Sequence, residues 1–469
     1  MNKISASIAM VGLSALLLAT PLSAQTTDGA ATPNEVSKVR IVRLSEVRGA
    51  VLLDRNIGRG FEAAIANMPI VEGSRVQTGT GTAEIEFEDN STLRLAPDSR
   101  VEFTQLERLA AGTTASSVRL TKGMAYVSLV KSRGNEFNLL FGGQKLELPP
   151  ASHIRLQMGA EEAKLAVLDG ALRIDGPSGS MEVSRKKTVT FALLDGAQPS
   201  VAKDIASVPF DEWDQNAAKY HERMAVTSAL NSSPYAYGLN DMSYYGSFMD
   251  GGGCGSMWRP YFASAAWDPY SNGAWAWYSG AGYSWVSPYP WGWTPYHFGS
   301  WSFCAGTGWG WMPGGSWYGL NNSIAYAPNS GSGIGPRRPG APPRIGEPTI
   351  AAVNLKPLVL SGTATSNSFV FRRDSAGLGI PRESLGQLNK LSERAVGRGT
   401  ASVPIYASAP ASANGRPGSE AIAASSLHRG SVPQPAQTGM PANGGSTGNS
   451  GGGAGRSSSA PAPASGHPR

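Results

Sequence analysis

Five histidines (His153, His221, His297, His428 and His467) are the first residues to test for chemistry. No two of them stand at the helical spacing of a zinc site, so a metal centre of the usual kinds is not expected. Cys254 and Cys304 are the only cysteines. They are far apart and have no nearby His or Cys partner, which points to a structural disulfide rather than half a metal site or a redox pair. No Gly-Lys-Ser/Thr phosphate loop is present, and Gly444–Gly448 matches a nucleophile elbow only formally, in low-complexity sequence with no strand before it. Glycoside hydrolysis needs two placed carboxylates, and the aromatic-rich region offers only Asp241, Asp250 and Asp268. These residues predict a chain that is not an enzyme and holds no cofactor or metal.

Aromatic rings are the chemistry that remains. Eleven of the twelve tryptophans fall between Trp258 and Trp317. Trp-x-Pro-Tyr recurs at Trp258–Tyr261, Trp267–Tyr270 and Trp293–Tyr296, and Trp-x-Trp at Trp275/Trp277, Trp291/Trp293 and Trp309/Trp311. In a strand, residues two apart share a face, so each Trp-x-Trp pair would make a two-ring strip. Such rings stack on the apolar faces of sugars or anchor a protein interface. The competing reading is that they are the core, because each aromatic buries roughly 150–250 Å² and the region has few aliphatics. The ring density nominates Trp275, Trp277, Trp291, Trp293, Tyr296, Trp309 and Trp311 as ligand-binding residues. His297 lies in the same repeat, where it reads either as a functional group or as a half-buried ring bonded to a turn.

The elements that must carry these residues differ along the chain. Gly and Pro between the Trp pairs, as in Gly280-Ala281-Gly282 and Ser287-Pro288, predict a small β-repeat module over 234–330, hairpin after hairpin. Upstream, residues 39–191 show β periodicity. Ala83, Ile85 and Phe87 alternate with Glu84, Glu86 and Glu88, and Leu93 and Leu95 alternate with Thr92 and Arg94. With Asp89-Asn90 between them, these runs predict a hairpin with one wet face. Further turns are expected at Lys122-Gly123 and Asp169-Gly170. Trp213, Ala217, Tyr220 and Met224 share a helical face, so a connecting helix is expected over 209–230. The fold class is therefore mainly β: a β domain, a Trp-rich β-repeat module, one connecting helix and a long disordered tail.

The order Glu46–Val51, Val71–Thr78, Ala83–Leu95, Leu120–Gly123 and Val167–Gly170 resembles the FecR domain, an extracytoplasmic β module. Asn90 stands where the central hairpin usually has glycine, and a glycine expected near Arg185–Lys187 is missing. The founding members of that family are membrane-spanning signal transducers whose cytoplasmic part acts on a sigma factor. Such a part is not expected here, because the chain opens like a secretory signal peptide. Lys3 precedes an apolar run from Ile8 to Ala19, then Pro21 and Leu22-Ser23-Ala24, with cleavage expected after Ala24. The stretch Trp291–Trp301 and Gly308–Pro313 resembles an uncharacterised Trp/Tyr/Pro-rich domain family of exported bacterial proteins, often found after FecR-like domains. That resemblance implies architecture and no activity.

Residues 331–469 hold 14 Lys or Arg against 5 Asp or Glu, a net charge of +9. Their low-complexity tracts cannot bury enough apolar surface to offset ordering entropy. One short helix is expected at 381–395, where Leu385, Leu388 and Leu391 follow Pro381; it would dock on the aromatic module or fold on a partner. The combined expectation is an exported protein of the periplasm or cell surface with no transmembrane span in its mature form and no nucleic-acid partner. It would bind an envelope glycan or an envelope protein, glycan slightly ahead. The alternative is a protein-interaction or signalling-accessory module related to FecR sensors.

Overall fold

A computed structural model describes residues 39–321, apart from 132–133, 177–178, 195–196, 228–232 and 262, together with 350–354, 371–372, 375–378, 382 and 421–422. The expected signal peptide at 1–24, most of residues 331–469 and all of the helix expected at 381–395 except Arg382 lie outside the described residues.

A 15-stranded sheet organises the first half. Its main strands are β1 (Val42–Arg48), β2 (Thr82–Glu86), β3 (Thr92–Leu95), β4 (Arg100–Arg108), β5 (Thr114–Ser128), β6 (Glu136–Phe141), β7 (His153–Met158), β8 (Glu162–Asp169), β9 (Lys187–Ala192) and β10 (Ser200–Ala202). From one edge the order is β10, β9, β8, β7, β5, β3, β2, β1 and the two-residue strand Pro69–Ile70. The alternating aliphatics enter one core: Leu44, Ile85, Leu93, Val127, Leu156, Leu165 and Val189 are completely buried.

Three turn expectations meet the backbone differently. The β2–β3 hairpin closes with Asn90 at φ 70°, a left-handed residue that asparagine adopts with little strain. The missing glycine near residue 186 is replaced by Lys186 itself at φ 66°, and its N–H bonds Val167 O at 2.8 Å. Lys122-Gly123 is no turn. The 15-residue β5 runs straight through it, pairing with β4 and β6 on one side of the bend and with β3 and β7 on the other. Gly123 sits at φ +83°, and a Cβ there would lie 2.6 Å from Asp98 O, so only glycine permits the strand to bend onto that loop.

Helix α1 (Asp211–Thr227) crosses the sheet and is followed by α2 (Leu239–Tyr245). The aromatic module then forms two small antiparallel sheets. One contains β11 (Gly246–Asp250), β12 (Ser256–Pro260), β15 (Ser300–Cys304) and β16 (Gly308–Met312), in the order β11-β12-β16-β15. The other has β13 (Gly273–Tyr278) between β14 (Gly282–Val286) and β17 (Ile350–Asn354). Cys254 and Cys304 are joined, with Cα atoms 6.0 Å apart across a separation of 50 residues. The short helix α3 (Thr294–His297) follows Trp293.

Candidate functional site: a buried ionic seam and its aromatic neighbour

The face expected to be wet is enclosed. Glu84 and Glu86 are fully buried, and Glu88 is nearly so. The carboxylates survive burial because arginines stand opposite them. Across the hairpin Glu84 is in register with Arg94, and across β1 Glu86 is in register with Arg43. Arg94 Nε donates to Glu84 Oε2 at 2.8 Å, and Arg43 donates to Glu86 Oε2 at 2.7 Å. Arg40 forks onto both oxygens of Glu88 at 2.8 Å each. Bidentate, charge-assisted pairs of this kind are what make burial of a carboxylate tolerable.

The helices complete the pairing. From α1, Asp214 accepts from Arg94 at 2.9 Å, and His221 Nε2 lies 3.0 Å from Glu84 Oε1. Asp211 accepts from Arg155 at 2.6 Å and from the Tyr126 hydroxyl at 2.9 Å. From α2, Asp241 pairs with Arg43 at 2.8 Å and accepts from the Tyr220 hydroxyl at 2.7 Å. Arg382 arrives from far along the chain and forks onto Asp241, 2.9 Å to each oxygen, while also donating to Glu84. Burial alone would raise the Glu84 carboxyl, but Arg382, His221 and Arg94 together hold it well below the usual carboxylate range. Asp241 is likewise held low against its burial by Arg382 and Arg43. Burial, with Asp241 beside it, pushes the Tyr220 hydroxyl well up. Chemically the seam is a lock, because its carboxylates are enclosed and already paired.

Backbone groups extend the lock. Arg43 also donates to Pro290 O at 2.5 Å, Asn67 donates to Ser287 O and Tyr289 O at 2.8 and 2.6 Å, and Tyr278 donates to Pro69 O at 2.8 Å. The β sheet and the aromatic module are therefore joined through buried bonds that carry direction as well as charge.

The nominated rings are mostly interior. Trp291, Trp293 and Trp311 have no exposed surface, Tyr296 and Trp309 keep 5%, and Trp275 keeps 8%. Trp277 is half-buried. Trp291 is stacked on Tyr289 at 4.9 Å and touches Trp258, Trp267, Tyr296 and Trp301. The Trp291/Trp293 strip does not form, because residues 291–293 make a tight turn, with Gly292 N–H bonded to Tyr289 O at 2.8 Å. A Cβ on Gly292 would meet Ser287 Oγ at 2.3 Å, so only glycine fits at this turn. Trp291 joins the module's ring cluster, whereas Trp293 packs into the core that continues from the sheet. His297 is 2% exposed and bonds Gly319 O through Nδ1 at 2.8 Å; burial pushes its pKa down to about 4. Among the described residues no group of three or more His, Cys, Asp or Glu side chains is placed to hold a metal ion. No helix among the described residues is long and apolar enough to cross a membrane.

Sequence reasoning named the rings and missed the seam. The available signal was arginine, not lysine, at Arg43 and Arg94, each opposite a glutamate in neighbouring strands. Asp241, His221 and Arg382 come from separate elements, and no local pattern joins them.

Residues 74–173 match the FecR protein family. The chain carries a FecR domain, and its strands extend beyond the matched stretch on both sides. Residues 239–336 match a family of unknown function, DUF6600, which spans α2 and most of the aromatic module. The seam thus joins the FecR domain to the DUF6600 region through Arg43, Asp241 and Glu84. Two crystal structures of a proposed anti-sigma factor from Parabacteroides distasonis, at 1.65 and 2.50 Å resolution, are similar at 11% identity, with TM-scores of 0.24 and 0.25. They cover 28% and 32% of this chain, which spans 60% and 72% of theirs. No curated protein matches the chain.

Proposed function

We propose that this is an exported, non-catalytic protein of the cell envelope that works by binding other proteins, as a scaffold or signalling accessory of the FecR kind. The observation that carries this reading is the seam. It ties the FecR domain and the aromatic module together through buried bonds, and it consumes the buried carboxylates that a catalyst would need free. The burial of six of the seven nominated rings supports the same view, because a ring with no exposed face has nothing to offer a sugar. The leader-like N-terminus and the Cys254–Cys304 bond support export.

A second reading keeps the glycan. Trp277 and Tyr283 face each other across β13 and β14, and both are half-buried. Of the nominated rings Trp277 is the one that keeps part of its surface open, and with Tyr283 it could stack on a sugar ring. In-cell crosslinking of the full chain, fractionation and sedimentation with insoluble peptidoglycan separate the readings. A discrete adduct with an envelope protein, and no sedimentation, is the expected result. Sedimentation abolished by Trp277→Ala would establish the glycan reading instead, and recovery of the chain in the cytoplasm would sink export.

A further inference from the structure

Ser375–Leu378 and Arg382 lie on the rest of the molecule as a peptide lies in a receptor. Ala376 is completely buried and Leu378 nearly so, both within the module's ring cluster. Trp291 Nε1–H donates to the Ala376 carbonyl at 2.5 Å. The segment turns tightly, with Leu378 N–H bonded to Ser375 O at 2.8 Å. Gly377 at φ +86° passes so close to Tyr245 that a Cβ would meet Cδ1 at 2.8 Å. Arg382 then enters the Asp241/Glu84 corner, its guanidinium 5.1 Å from the centre of the Tyr220 ring. A backbone hydrogen bond, a slot for small residues, an apolar pocket and a carboxylate fork with an aromatic wall are the parts of a peptide-recognition site.

Two features distinguish this groove from ordinary core. Its receiving carboxylates keep partners without the occupant: Asp241 retains Arg43 and Tyr220, and Glu84 retains Arg94, His221 and Ser45. The groove also does not end at Arg382. A cavity of about 360 Å³ continues beside it, lined by Glu46, Arg48, Phe210, Trp213 and Tyr220.

We propose that this groove is a receptor for an arginine-bearing peptide of an envelope partner, filled here by the chain's own Ser375–Leu378 and Arg382. The recognised chemistry is a tight turn of small residues with glycine and an aliphatic side chain, followed by an arginine. The inference rests on reading the chain as a protein-interaction module, and it names the surface that would do the binding.

The test keeps the full chain and adds a specific protease site after Thr365, cut once the protein has folded. A labelled synthetic peptide spanning residues 371–384 is then titrated by fluorescence anisotropy, while near-ultraviolet circular dichroism follows the fold. The cut protein is expected to keep its spectrum, exchange its fragment and bind the peptide. The uncut chain binds far more weakly, because its tethered segment competes at high effective concentration. The Arg382→Ala peptide binds roughly 100-fold more weakly, the loss typical of truncating one partner of a buried charge pair. Equal binding of both peptides, a fragment that neither leaves nor exchanges, or collapse of the spectrum on its release would each overturn the proposal. None of these outcomes touches the crosslinking result, so the two readings fail separately.

Discussion

In the FecR domain the interior is built from Val, Leu and Ile alternating along long paired strands, and each side chain needs only to point inward. In the aromatic module the interior is built from indole and phenol rings on short strands and turns, and most rings must also satisfy a polar atom. Trp258 donates to Met242 O at 3.2 Å, Trp311 to Phe298 O at 2.7 Å and Tyr296 to Pro269 O at 2.5 Å. A core of the first kind tolerates changes of shape that keep volume and pattern. A core of the second kind is fixed more tightly, because an indole such as Trp258, Trp291 or Trp311 that shifts leaves a carbonyl unbonded as well as a gap. The comparison teaches that the module trades aliphatic mass for directional contacts, which suits a region with little strand length in which to set register.

The sharpest way to break this comparison is to remove one central side chain from each region. Trp291→Ala removes a ring with five aromatic neighbours and leaves the Ala376 carbonyl without its donor. The expected loss is about 5 kcal/mol, the upper end for a buried Trp, since an unsatisfied buried acceptor adds to the cavity. Leu93→Ala, fully buried in the FecR domain, should cost about 3 kcal/mol, within the usual range for a buried leucine. Urea unfolding of the two variants checks this. If Leu93→Ala costs more, the ring cluster is not the more brittle core.

The next effect concerns the staple. The module contains both cysteines and the FecR domain contains none. Closing a separation of 50 residues stabilises by about 4 kcal/mol in the chain-entropy model. Cys254→Ser/Cys304→Ser should lose about that much in denaturant titration and leave FecR-domain variants such as Leu93→Ala with an unchanged additional cost, because sites without shared partners add. A larger combined loss would show that the two cores are coupled through the seam.

A smaller effect depends on pH. His297 is buried in the module as a neutral ring, with its pKa lowered by burial to about 4. The unfolded chain binds that proton more readily, so the stability His297 contributes is full above about pH 6.5 and is lost as pH falls toward 4. Linkage puts the whole span at roughly 3 kcal/mol. Glu84, held low in the seam, gives a loss of the same sign, felt as pH falls through the carboxylate range. His297→Gln keeps a buried polar group, gives up the ring contacts with Trp293 and Trp317 and removes the titration, so its stability should fall less steeply between pH 6.5 and 4 than that of the parent. Parallel slopes would place the proton uptake elsewhere.

How much of this was legible divides along the same line. In the FecR domain the two-residue period places Ile85, Leu93 and Leu165 inside, because a strand's faces alternate whatever its neighbours. The same rule failed for Glu84 and Glu86, since alternation says which face a side chain takes and not whether that face is covered. What covers it is α1, α2 and Arg382, which depends on tertiary packing. In the module the tryptophan spacing signals a repeated unit, yet Trp-x-Trp has two meanings. In β16 it is a strand pair, Trp309 and Trp311. At Trp291-Gly-Trp293 it is a turn, because the glycine lets the chain pass where no side chain fits.

Trp277 is where the smallest effect carries the most discrimination. It lies on β13 opposite Tyr283, half-buried and outside both buried clusters. Its backbone, not its ring, accepts the bond from Arg55. Removing the ring therefore leaves that bond in place and forfeits only a cross-strand aromatic pair, worth about 0.5–1 kcal/mol. Trp277→Ala should unfold within about 1 kcal/mol of the parent in urea, and it should not alter crosslinking to an envelope protein. A cost near that of Trp291→Ala would mean that Trp277 is part of the core and not an outer ring, and the glycan reading would lose its nominated candidate. A negligible cost leaves a folded variant that differs from the parent by one half-buried indole, so a change in its retention on peptidoglycan reports stacking by that ring.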